Sequence, residues 1–327
     1  MLKIGIIGVG YLGNFHLKNL LTHGNIEVPG FYDIDDERSK FISSEYKVKS
    51  FNSRQELLDV CDAIFVVVPT KSHYEVTKDA LEHGLHVFCE KPVTETIEQA
   101  EELMKIAEDK NRILQVGHIE RFNPAFMALE NFELAPKFIE CHRISQFNER
   151  GIKSAVIPEL MIHDLDIILN IVKSKIVHIE ASGTPVLTEN IDIANVRINF
   201  ENGCVANITA SRVSDKKTRK FRIFQKNAYI NIDFLEKKTD VFALTKETED
   251  FFRIANFKLS EDNEKTIYYK RLSGQDANAM VEEQKDFIHS ITNNRLPLVT
   301  GEDGLAALKL ALEIEDIIQK NLANIDD

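Results

Sequence analysis

The chain has 327 residues, a length that favours two domains over one and leaves room for a buried core. Its 52 acidic residues exceed its 40 basic residues and give a net charge of −12, which argues against nucleic acid and anionic membranes as partners. The 43% hydrophobic and 28% charged fractions are ordinary for a globular protein. We therefore expect a soluble, enzyme-sized protein.

The cysteines and the N-terminal run favour a cytoplasmic location. Cys61, Cys89, Cys141 and Cys204 are scattered without the CxxC or Cys/His spacing of a metal site, so we expect reduced, buried thiols and no metal. The first residues, Met1 to Gly8, form a short run broken by glycines, unlike a signal peptide. No apolar stretch of the sequence approaches the ~20 residues that cross a bilayer.

Residues 1–120 alternate short β-branched runs with amphipathic stretches, which predicts a parallel sheet covered by helices. The predicted strands are residues 3–7, 28–32, 63–68, 86–89 and 113–116. A helix is predicted over residues 95–109, where apolar side chains recur at helical spacing. We expect these 120 residues to be the first domain.

Residues 121–327 are expected to form a second α/β domain, because the alternation stops there. From Phe138 onward we predict one long apolar helix and then consecutive strands, including residues 194–200, 205–210 and 221–225, with turns at Glu201-Asn202-Gly203 and Asn227-Ala228. Consecutive strands imply an antiparallel or mixed sheet. Residues 245–274 are polar and weakly patterned, and two helices are predicted over residues 276–292 and 303–321.

A GxGxxG motif lies between the first predicted strand and a helix, which is the position where it binds a dinucleotide. Gly8 permits a tight turn, Gly10 lets the backbone approach a pyrophosphate at the helix N-terminus, and Gly13 allows close packing of helix on strand. The predicted cofactor contacts in this loop are Gly8, Gly10, Tyr11, Leu12 and Gly13.

Asp33 lies about 20 residues after the last glycine, where a carboxylate can accept hydrogen bonds from both ribose hydroxyls. This position favours NAD over NADP. Asp35 and Asp36 would repel a 2′-phosphate, although Arg38 lies nearby. We expect NAD as the cofactor, with NADP the less favoured alternative.

Glu90-Lys91-Pro92 follows a buried strand, at the sheet edge where open α/β sheets bind ligands. Taken alone, the two charges are equally compatible with a structural ion pair. Thr70 and His73 follow the preceding strand in the same way, so they either line the cofactor cleft or belong to ordinary turn chemistry.

The segment from Pro158 to Asn170 is predicted to be a single helix, apolar on most sides. At about 100° per residue, one stripe about 60° wide collects its polar side chains, which are Glu159, His163, Asp166 and Asn170, while Asp164 points away. A carboxylate four residues before a histidine can hold that histidine as a general base. The alternative is a polar seam between domains whose groups are all satisfied.

Two further segments are candidates for substrate contact. His118 and Arg121 follow the last strand predicted in the first domain and could contact an anion or a sugar. A basic cluster comprises Lys216, Lys217, Arg219, Lys220 and Arg222. That cluster is either a solvated hairpin or a contact for a substrate diphosphate.

The glycine motif, Glu90-Lys91-Pro92, Arg121-Phe122-Asn123-Pro124 and His163-Asp164 occur in this order, and together they resemble the glucose-fructose oxidoreductase, inositol dehydrogenase and MocA (Gfo/Idh/MocA) family. The resemblance covers nearly the whole chain. It implies an NAD-binding Rossmann domain followed by a substrate-binding α/β domain with an open, mixed, largely antiparallel sheet. One face of that sheet commonly joins subunits, so a homodimer or homotetramer is implied.

The resemblance also implies roles for single residues. Lys91 matches a lysine beside the nicotinamide and the reacting hydroxyl, and His163 matches the catalytic histidine. Glu159 stands where the family usually has Asp, and Asp166 matches an acid that could instead hold the helix in place. The cofactor set then also contains Asp33, Thr70, His73, Glu90 and Lys91. The predicted substrate contacts are Lys91, His118, Arg121, Glu159 and His163.

Within the family, the segments around Arg121 and His163 are most similar to members that oxidise nucleotide-linked N-acetylhexosamines, the UDP-N-acetylglucosamine 3-dehydrogenases. We hypothesise hydride transfer between nicotinamide and a secondary hydroxyl of such a sugar. His163 would be the general base and Lys91 would polarise the hydroxyl, or Lys91 would itself be the base, with Glu159 supporting catalysis. The alternatives are a free-sugar or inositol dehydrogenase and a non-catalytic NAD-binding redox sensor.

Overall fold

The structure, a computed structural model, describes residues 1–147, 154–244, 251–260, 263–273 and 277–324. The chain divides into two compact units. The first contains Met1–Ile119 and Asn278–Lys309, and the second contains the described residues of Glu120–Ala277 and Leu310–Asp327. Within the described ranges, no helix combines the length and the apolar composition that a bilayer span requires.

The first unit is built on a parallel sheet, as predicted. Its strands are β1 (Leu2–Ile7), β2 (Ile26–Glu27), β3 (Phe31–Tyr32), β4 (Ala63–Val66), β5 (His86–Glu90) and β6 (Leu114–Gly117). Its first helices are α1 (Tyr11–Leu20), α2 (Asp36–Tyr46), α3 (Arg54–Leu58), α4 (His73–Glu82) and α5 (Ile97–Asp109). The sheet runs β3-β1-β4-β5-β6 with β2 also on β1, and every pair is parallel. The carboxyl ends of these strands therefore share one edge.

The predicted strand 28–32 is wrong in its first part. The edge of the sheet consists instead of β2 and β3, which pair with different ends of β1 and are separated by residues 28–30. Pro29 has no N–H to donate to a ladder. Gly30 lies so close to the Lys49 carbonyl oxygen that a Cβ would come within 2.3 Å of it. The interruption follows from these two residues.

The second unit is built on a nine-stranded sheet. Its strands are β7 (Pro136–Ile144), β8 (Ile176–Thr184), β9 (Ile193–Phe200), β10 (Val205–Ser211), β11 (Thr218–Gln225), β12 (Ala228–Asp233), β13 (Lys238–Ala243), β14 (Phe252–Ser260) and β15 (Asn263–Ser273). Its helices are α6 (Pro124–Met127), a π-helix over Ile157–Met161, and α7 (Ile162–Ile171).

The sheet of the second unit is mixed and largely antiparallel, which confirms the predicted fold class. Its order is β14-β15-β13-β12-β11-β7-β10-β9-β8, and only β7 and β10 pair in parallel. Both predicted turns are present, between β9 and β10 and between β11 and β12. Gly203 and Asn227 adopt positive φ angles of 80° and 65°, which glycine and asparagine tolerate better than other residues.

Two segments of this unit contain strands that the sequence does not predict. Residues 136–144, which precede the predicted helix, form β7, and the charged Arg143 on the buried face of β7 hides its alternating pattern. The weakly patterned segment 245–274 contains β14 and β15. Residues 252–256 of β14 are exposed on both faces, so alternation could not mark them as a strand.

The last two helices are α8 (Ala279–Thr292) and α9 (Gly301–Ala323). Their positions differ from the predicted domain division. The first division falls beside residue 120, as expected, but residues 278–309 belong to the first unit rather than the second. The ring of Phe287 in α8 packs edge-on against Phe65 of β4, with centroids 5.3 Å apart. Gly304 in α9 lies against the side chain of Val116 in β6. These contacts are core packing of the first unit, which is why its sequence is discontinuous.

Candidate active site

Each glycine of the motif has a distinct steric reason. Gly8 has a φ of +90°, and a Cβ there would lie 2.4 Å from the Val67 carbonyl oxygen. A Cβ on Gly13 would lie 2.0 Å from the carbonyl oxygen of Gly8, so α1 can approach β1 only because residue 13 lacks one. Nothing lies within 4 Å of a Cβ placed on Gly10. That open space beside the backbone is where the sequence predicts the pyrophosphate.

The start of α1 suits an anion. Its N-cap, Gly10, offers no side-chain hydrogen bond, and the first turn carries no acid. By contrast, α2 and α5 begin with side-chain caps from Asp35 and Thr96 and have acids in the first turn. The N-terminal N–H groups and the positive end of the dipole in α1 are therefore uncompensated by its own side chains. The residues present fit a dinucleotide pyrophosphate at this position.

Asp33 follows β3 and is half-buried. One carboxylate oxygen accepts the N–H of Val9 at 2.7 Å and the other accepts the N–H of Asp35 at 2.9 Å. The Arg38 guanidinium donates to the carbonyl oxygens of Val9 and Gly10 at 2.8 and 3.3 Å. Arg38 is thus directed at the glycine loop, and Asp33 ties that loop to the end of β3.

The other predicted cofactor contacts lie along the same sheet edge. Tyr11 and Leu12 form the exposed first turn of α1, and the Tyr11 ring packs edge-on against Phe15 with centroids 5.2 Å apart. Thr70 opens a 3₁₀ turn, Thr70–Ser72, a few residues after β4. The roles of all three in binding NAD remain predictions.

Lys91 is half-buried and directly follows β5, and its peptide bond to Pro92 is cis. Its neighbour Glu90 is 8% exposed and pairs with His16 of α1, with Nε2 and Oε1 2.8 Å apart. The other oxygen of Glu90 accepts the backbone N–H of Lys91 at 3.2 Å. Burial would raise the pKa of Glu90, but His16 and the charge of Lys91 outweigh it and hold that pKa below its usual value.

Sequence reasoning missed His16. The signal was available: Gly13, His16, Leu17 and Leu20 form the buried face of α1, so His16 is a polar residue on an apolar stripe. Such a residue needs a buried partner. Its partner Glu90 lies 74 residues away, which no local pattern reveals.

Gly117 explains how the Glu90 carboxylate is accommodated. The two residues lie opposite each other on β5 and β6. A Cβ on Gly117 would come within 2.9 Å of Glu90 Oε2, so glycine leaves the space that the carboxylate fills. His118, the next residue, is 1% exposed, and its predicted contact with the substrate remains a prediction.

His73 is buried and bridges two backbone carbonyl groups, an arrangement that we call the His73 clamp. Nδ1 lies 2.7 Å from the carbonyl oxygen of Pro92 and Nε2 lies 2.8 Å from that of Val68. Carbonyl oxygens only accept hydrogen bonds, so both ring nitrogens must carry hydrogen and the imidazole is cationic. Burial would lower the pKa of His73, but the Cys89 thiol and the two carbonyls raise it to about 9. Both ring nitrogens of His73 are engaged in this way, and its predicted contact with the cofactor remains a prediction.

The predicted helix 158–170 begins with a π turn. Residues 157–161 form the π-helix and only residues 162–171 are α-helical. Because a π turn bonds i to i+5, the angular position of Glu159 relative to His163 differs from the predicted α-helical one. Glu159 is exposed, whereas His163 is half-buried with its Nδ1 away from solvent.

Two buried ion pairs hold α7. Arg121 donates two hydrogen bonds to Asp166, at 2.7 and 3.0 Å, and Arg143 of β7 donates two to Asp164, at 2.8 and 2.9 Å. Arg143 also donates to Glu120 at 2.9 Å. Asp166 therefore faces Arg121 rather than an open stripe. The pairing makes Arg121 a support of α7, and its predicted contact with the substrate remains a prediction.

The basic cluster is largely matched by acids. Arg219 donates to Glu120, Lys220 pairs with Asp233, and Arg222 donates to Glu140, at 3.2, 2.5 and 2.9 Å. Lys216 and Lys217 are exposed. This arrangement favours the solvated-strand interpretation over a diphosphate contact.

The glycine geometry predicts that Gly10→Ala and Gly13→Ala fail differently. Gly10→Ala should leave the melting temperature within about 2 °C of wild type and weaken NADH binding at least tenfold, roughly 1.4 kcal/mol, because the methyl group occupies the open space. Gly13→Ala should lower the melting temperature by about 5 °C or more, since the Cβ meets backbone. Fluorescence titration with NADH and thermal unfolding measure the two effects. Normal NADH binding by Gly10→Ala would contradict the assignment.

The His73 clamp predicts a loss of stability in alkali. Because folding raises the pKa of His73 from 6.5 to about 9, its contribution is complete below pH 6.5 and is lost as the pH rises through 9. The full contribution is roughly 3 kcal/mol. Urea unfolding of wild type between pH 6 and 10 should show this decline, and His73→Phe should show a shallower one. The exposed-histidine control His178→Gln should follow wild type, and equal slopes in all three proteins would refute the clamp.

Comparison with known proteins places the chain in a family. A family model described as "Oxidoreductase family, NAD-binding Rossmann fold" matches residues 2–118, and "GFO/IDH/MocA C-terminal domain" matches residues 133–231. The UDP-N-acetylglucosamine 3-dehydrogenase of Acidithiobacillus ferrooxidans is 31% identical over 319 residues, which are 97% of each protein. The myo-inositol 2-dehydrogenase of Thermotoga maritima is 25% identical, with 94% of each covered.

Solved structures agree with the sequence matches. The UDP-N-acetylglucosamine 3-dehydrogenase GnnA from Acidithiobacillus ferrooxidans superposes with a TM-score of 0.87 at 29% identity, covering 97% of this chain and 98% of that one. A scyllo-inositol dehydrogenase from Lactobacillus casei with bound NAD(H) and scyllo-inositol, 21% identical and with a TM-score of 0.77, shares the fold. Both domain matches and a full-length relative show that this chain belongs to the Gfo/Idh/MocA family of NAD-binding oxidoreductases.

Proposed function

We propose that the chain is a UDP-N-acetylglucosamine 3-dehydrogenase, which oxidises the C3 hydroxyl of the sugar to a ketone with NAD. The observation that carries the proposal is the 31% identity to such an enzyme over 97% of both chains. The TM-score of 0.87 to GnnA supports it. The glycine loop, Lys91 and the His163 helix provide the residue types that this oxidation needs.

The first unit would hold the cofactor. The N–H groups at the start of α1 would bind the pyrophosphate beside Gly10, and Asp33 would accept hydrogen bonds from a ribose. NAD, when bound, supplies the acceptor for the hydride that leaves C3. Asp33 also accepts the N–H of Val9 at 2.7 Å, so the residue proposed for the ribose and the loop proposed for the pyrophosphate are already joined.

Oxidation of an alcohol releases a proton as well as a hydride, so the chain must provide a proton acceptor. We assign this role to His163, whose helix is fixed by the buried pairs of Asp164 and Asp166. Lys91 would stabilise the negative charge that develops on the oxygen as the O–H bond breaks. Glu159 would assist His163, and His118 would contact the sugar. The reversed assignment, with Lys91 as the base, is the alternative.

Turnover with a panel of substrates tests the proposed function. Wild type should reduce NAD with UDP-N-acetylglucosamine and much more slowly with NADP, free N-acetylglucosamine or myo-inositol. Lys91→Met and His163→Ala should each lower kcat by about 10²- to 10⁴-fold and leave NADH binding within a few-fold of wild type. The exposed lysine variant Lys71→Met is the matched control.

Each contrary outcome has a distinct meaning. Preferential turnover of myo-inositol would show that the substrate is a cyclitol rather than a nucleotide sugar, as the name of the Thermotoga maritima relative suggests. Tight NADH binding without turnover of any sugar would favour a redox sensor. Unchanged kcat in His163→Ala would remove the assigned base, and unchanged kcat in Lys91→Met would remove the assigned electrostatic role.

We propose also that the chain forms a homodimer or homotetramer through one face of its nine-stranded sheet. A row of partly exposed aromatic side chains crosses five neighbouring strands of that face: Phe138, Phe224, Tyr229, Phe242 and Tyr269. Their neighbouring ring centroids are 5.7, 4.9, 5.7 and 5.1 Å apart. A contiguous apolar row of this kind is typical of a surface that binds protein.

We propose a cytoplasmic location as well, because free, buried thiols are typical of proteins in a reducing compartment.

Substitution within the aromatic row tests the interface. Phe224→Asp together with Tyr229→Asp should convert the assembly to monomers, because a second copy would then bury two unpaired carboxylates. Size-exclusion chromatography with light scattering at micromolar concentration measures the mass. Phe41→Asp, at an apolar side chain 58% exposed on α2, is the control and should leave the mass unchanged. A wild-type protein that is monomeric, or a double variant of unaltered mass, would refute this interface.

A further inference from the structure

A series of buried and partly buried hydrogen bonds runs from α8 to the backbone of Lys91, entirely within the first unit. His23 Nε2 lies 3.1 Å from Gln284 Oε1, and Gln284 Nε2 lies 3.1 Å from the carbonyl oxygen of His16 and 3.2 Å from His16 Nδ1. His16 Nε2 lies 2.8 Å from Glu90 Oε1, and Glu90 Oε2 accepts the N–H of Lys91 at 3.2 Å. These hydrogen bonds connect α8, α1 and β5.

The geometry fixes the direction of every bond. The Gln284 atom that faces the His16 carbonyl must be the amide nitrogen, because a carbonyl oxygen accepts only. The same nitrogen then donates to His16 Nδ1, so the hydrogen of that imidazole is on Nε2. His16 therefore donates to Glu90, and the carboxylate of Glu90 is left to accept from both His16 and Lys91.

Packing holds the His16 ring in this position. The ring packs against Phe65 and Phe88, with ring centroids 5.5 and 5.3 Å away. His16 is fully buried, and Gly117 supports the Glu90 carboxylate from the neighbouring strand. The hydrogen bond between His16 and Glu90 is thus held by packing on both sides.

We propose that His16 and Glu90 are positioning residues that set the backbone of Lys91 relative to α1. The first turn of α1 holds the dinucleotide in the proposed function, and His16 lies in the next turn of the same helix. One rigid helix therefore connects the cofactor loop to the residue after β5. The inference rests on the proposed function in one respect, namely that Lys91 acts beside the reacting hydroxyl.

A second buried acid provides the control for this cluster. Glu283 of α8 is fully buried. The pKa of Glu283 lies well above its usual value, chiefly because of this burial and further because of the negative charges of Glu90 and Asp286. The raised pKa of Glu283 favours its neutral form, whereas the lowered pKa of Glu90 favours its charged form. Glu283→Gln preserves that distribution of charge, so it should leave turnover and the Lys91 backbone unchanged.

A double-mutant cycle tests whether His16 acts through Glu90. His16→Phe keeps an aromatic ring against Phe65 and Phe88 but cannot donate to the carboxylate, whereas His16→Gln can. With UDP-N-acetylglucosamine and saturating NAD, His16→Phe should lower kcat 10- to 100-fold while the KM for the sugar and the NADH Kd change less than threefold. His16→Gln should recover most of kcat. The double variant of His16→Phe with Glu90→Gln should be no slower than Glu90→Gln alone.

Amide exchange gives a readout that needs no substrate. The backbone N–H of Lys91 should exchange at least tenfold faster in His16→Phe and in Glu90→Gln than in wild type or Glu283→Gln, because its acceptor is displaced or weakened. If wild type shows no turnover of the nucleotide sugar, the proposed function fails and this measurement still decides the positioning role. Should His16→Phe not fold, Gln284→Met removes the donor that orients the ring and should give a smaller change of the same sign.

Three results would overturn the inference. The first is a folded His16→Phe with wild-type kcat and wild-type exchange at Lys91. The second is additive losses of kcat in the double variant, which would show that His16 and Glu90 act independently. The third is a rise in the NADH Kd that equals the loss of kcat, which would place His16 in cofactor binding alone.

Discussion

A buried carboxylate is stable only where donors surround it, and the candidate site is organised by that requirement. Glu90, Asp164 and Asp166 are all at least nine-tenths buried, and each has a partner from a different element. Removing one partner of such a pair commonly costs 3 to 5 kcal/mol, far more than an exposed pair contributes. Each ion pair therefore fixes the two elements that carry it relative to each other, within its own unit.

Both units contain buried carboxylates paired in this way, and the pairs join different elements. In the first, the Glu90 carboxylate joins α1 to the end of β5, so it constrains Lys91 through the backbone. In the second, Arg121 and Arg143 join α7 to the chain before α6 and to β7, so they constrain the helix that carries His163. Lys91 and His163 are themselves only half-buried. The two side chains proposed to react can therefore remain accessible while the backbone that carries them is fixed.

The sequence predicts what local patterns encode. The glycine loop is recognisable because nearby backbone excludes a Cβ at Gly8 and Gly13, and Gly10 leaves open space beside the loop. The predicted bounds of β1, β4 and α5 agree with the structure within two residues, because β1 and β4 are buried on both faces and α5 has one clear buried stripe. The strand over residues 136–144 was hidden by Arg143, a charge that faces inward. The π turn before α7 depends on a hydrogen-bond register that apolar spacing does not report.

The partners of the buried charged residues lie far away in the sequence, so they could not be predicted from it. Glu90 and Lys91 could be recognised as important, yet nothing near them indicated His16, and nothing near Arg121 indicated Asp166, 45 residues away. The same limit explains the misplaced residues 278–309. The apolar stripe of α8 predicts a helix, but only the position of Phe287 against Phe65 shows which sheet it covers.

The net charge of −12 has little bearing on the site, because the acids that produce it lie mostly outside these buried sets. Surface acids such as Glu101 and Glu102 pair with Lys309 and Lys78 in exposed contacts that contribute little to stability. The first turn of α1 contains no acid, and Asp33, a carboxylate at the same sheet edge, is bonded to backbone N–H groups. An acidic protein can thus present a locally positive helix end to an anionic cofactor, since helix dipoles and short-range donors act within a few ångströms whereas distant surface charges are screened by salt.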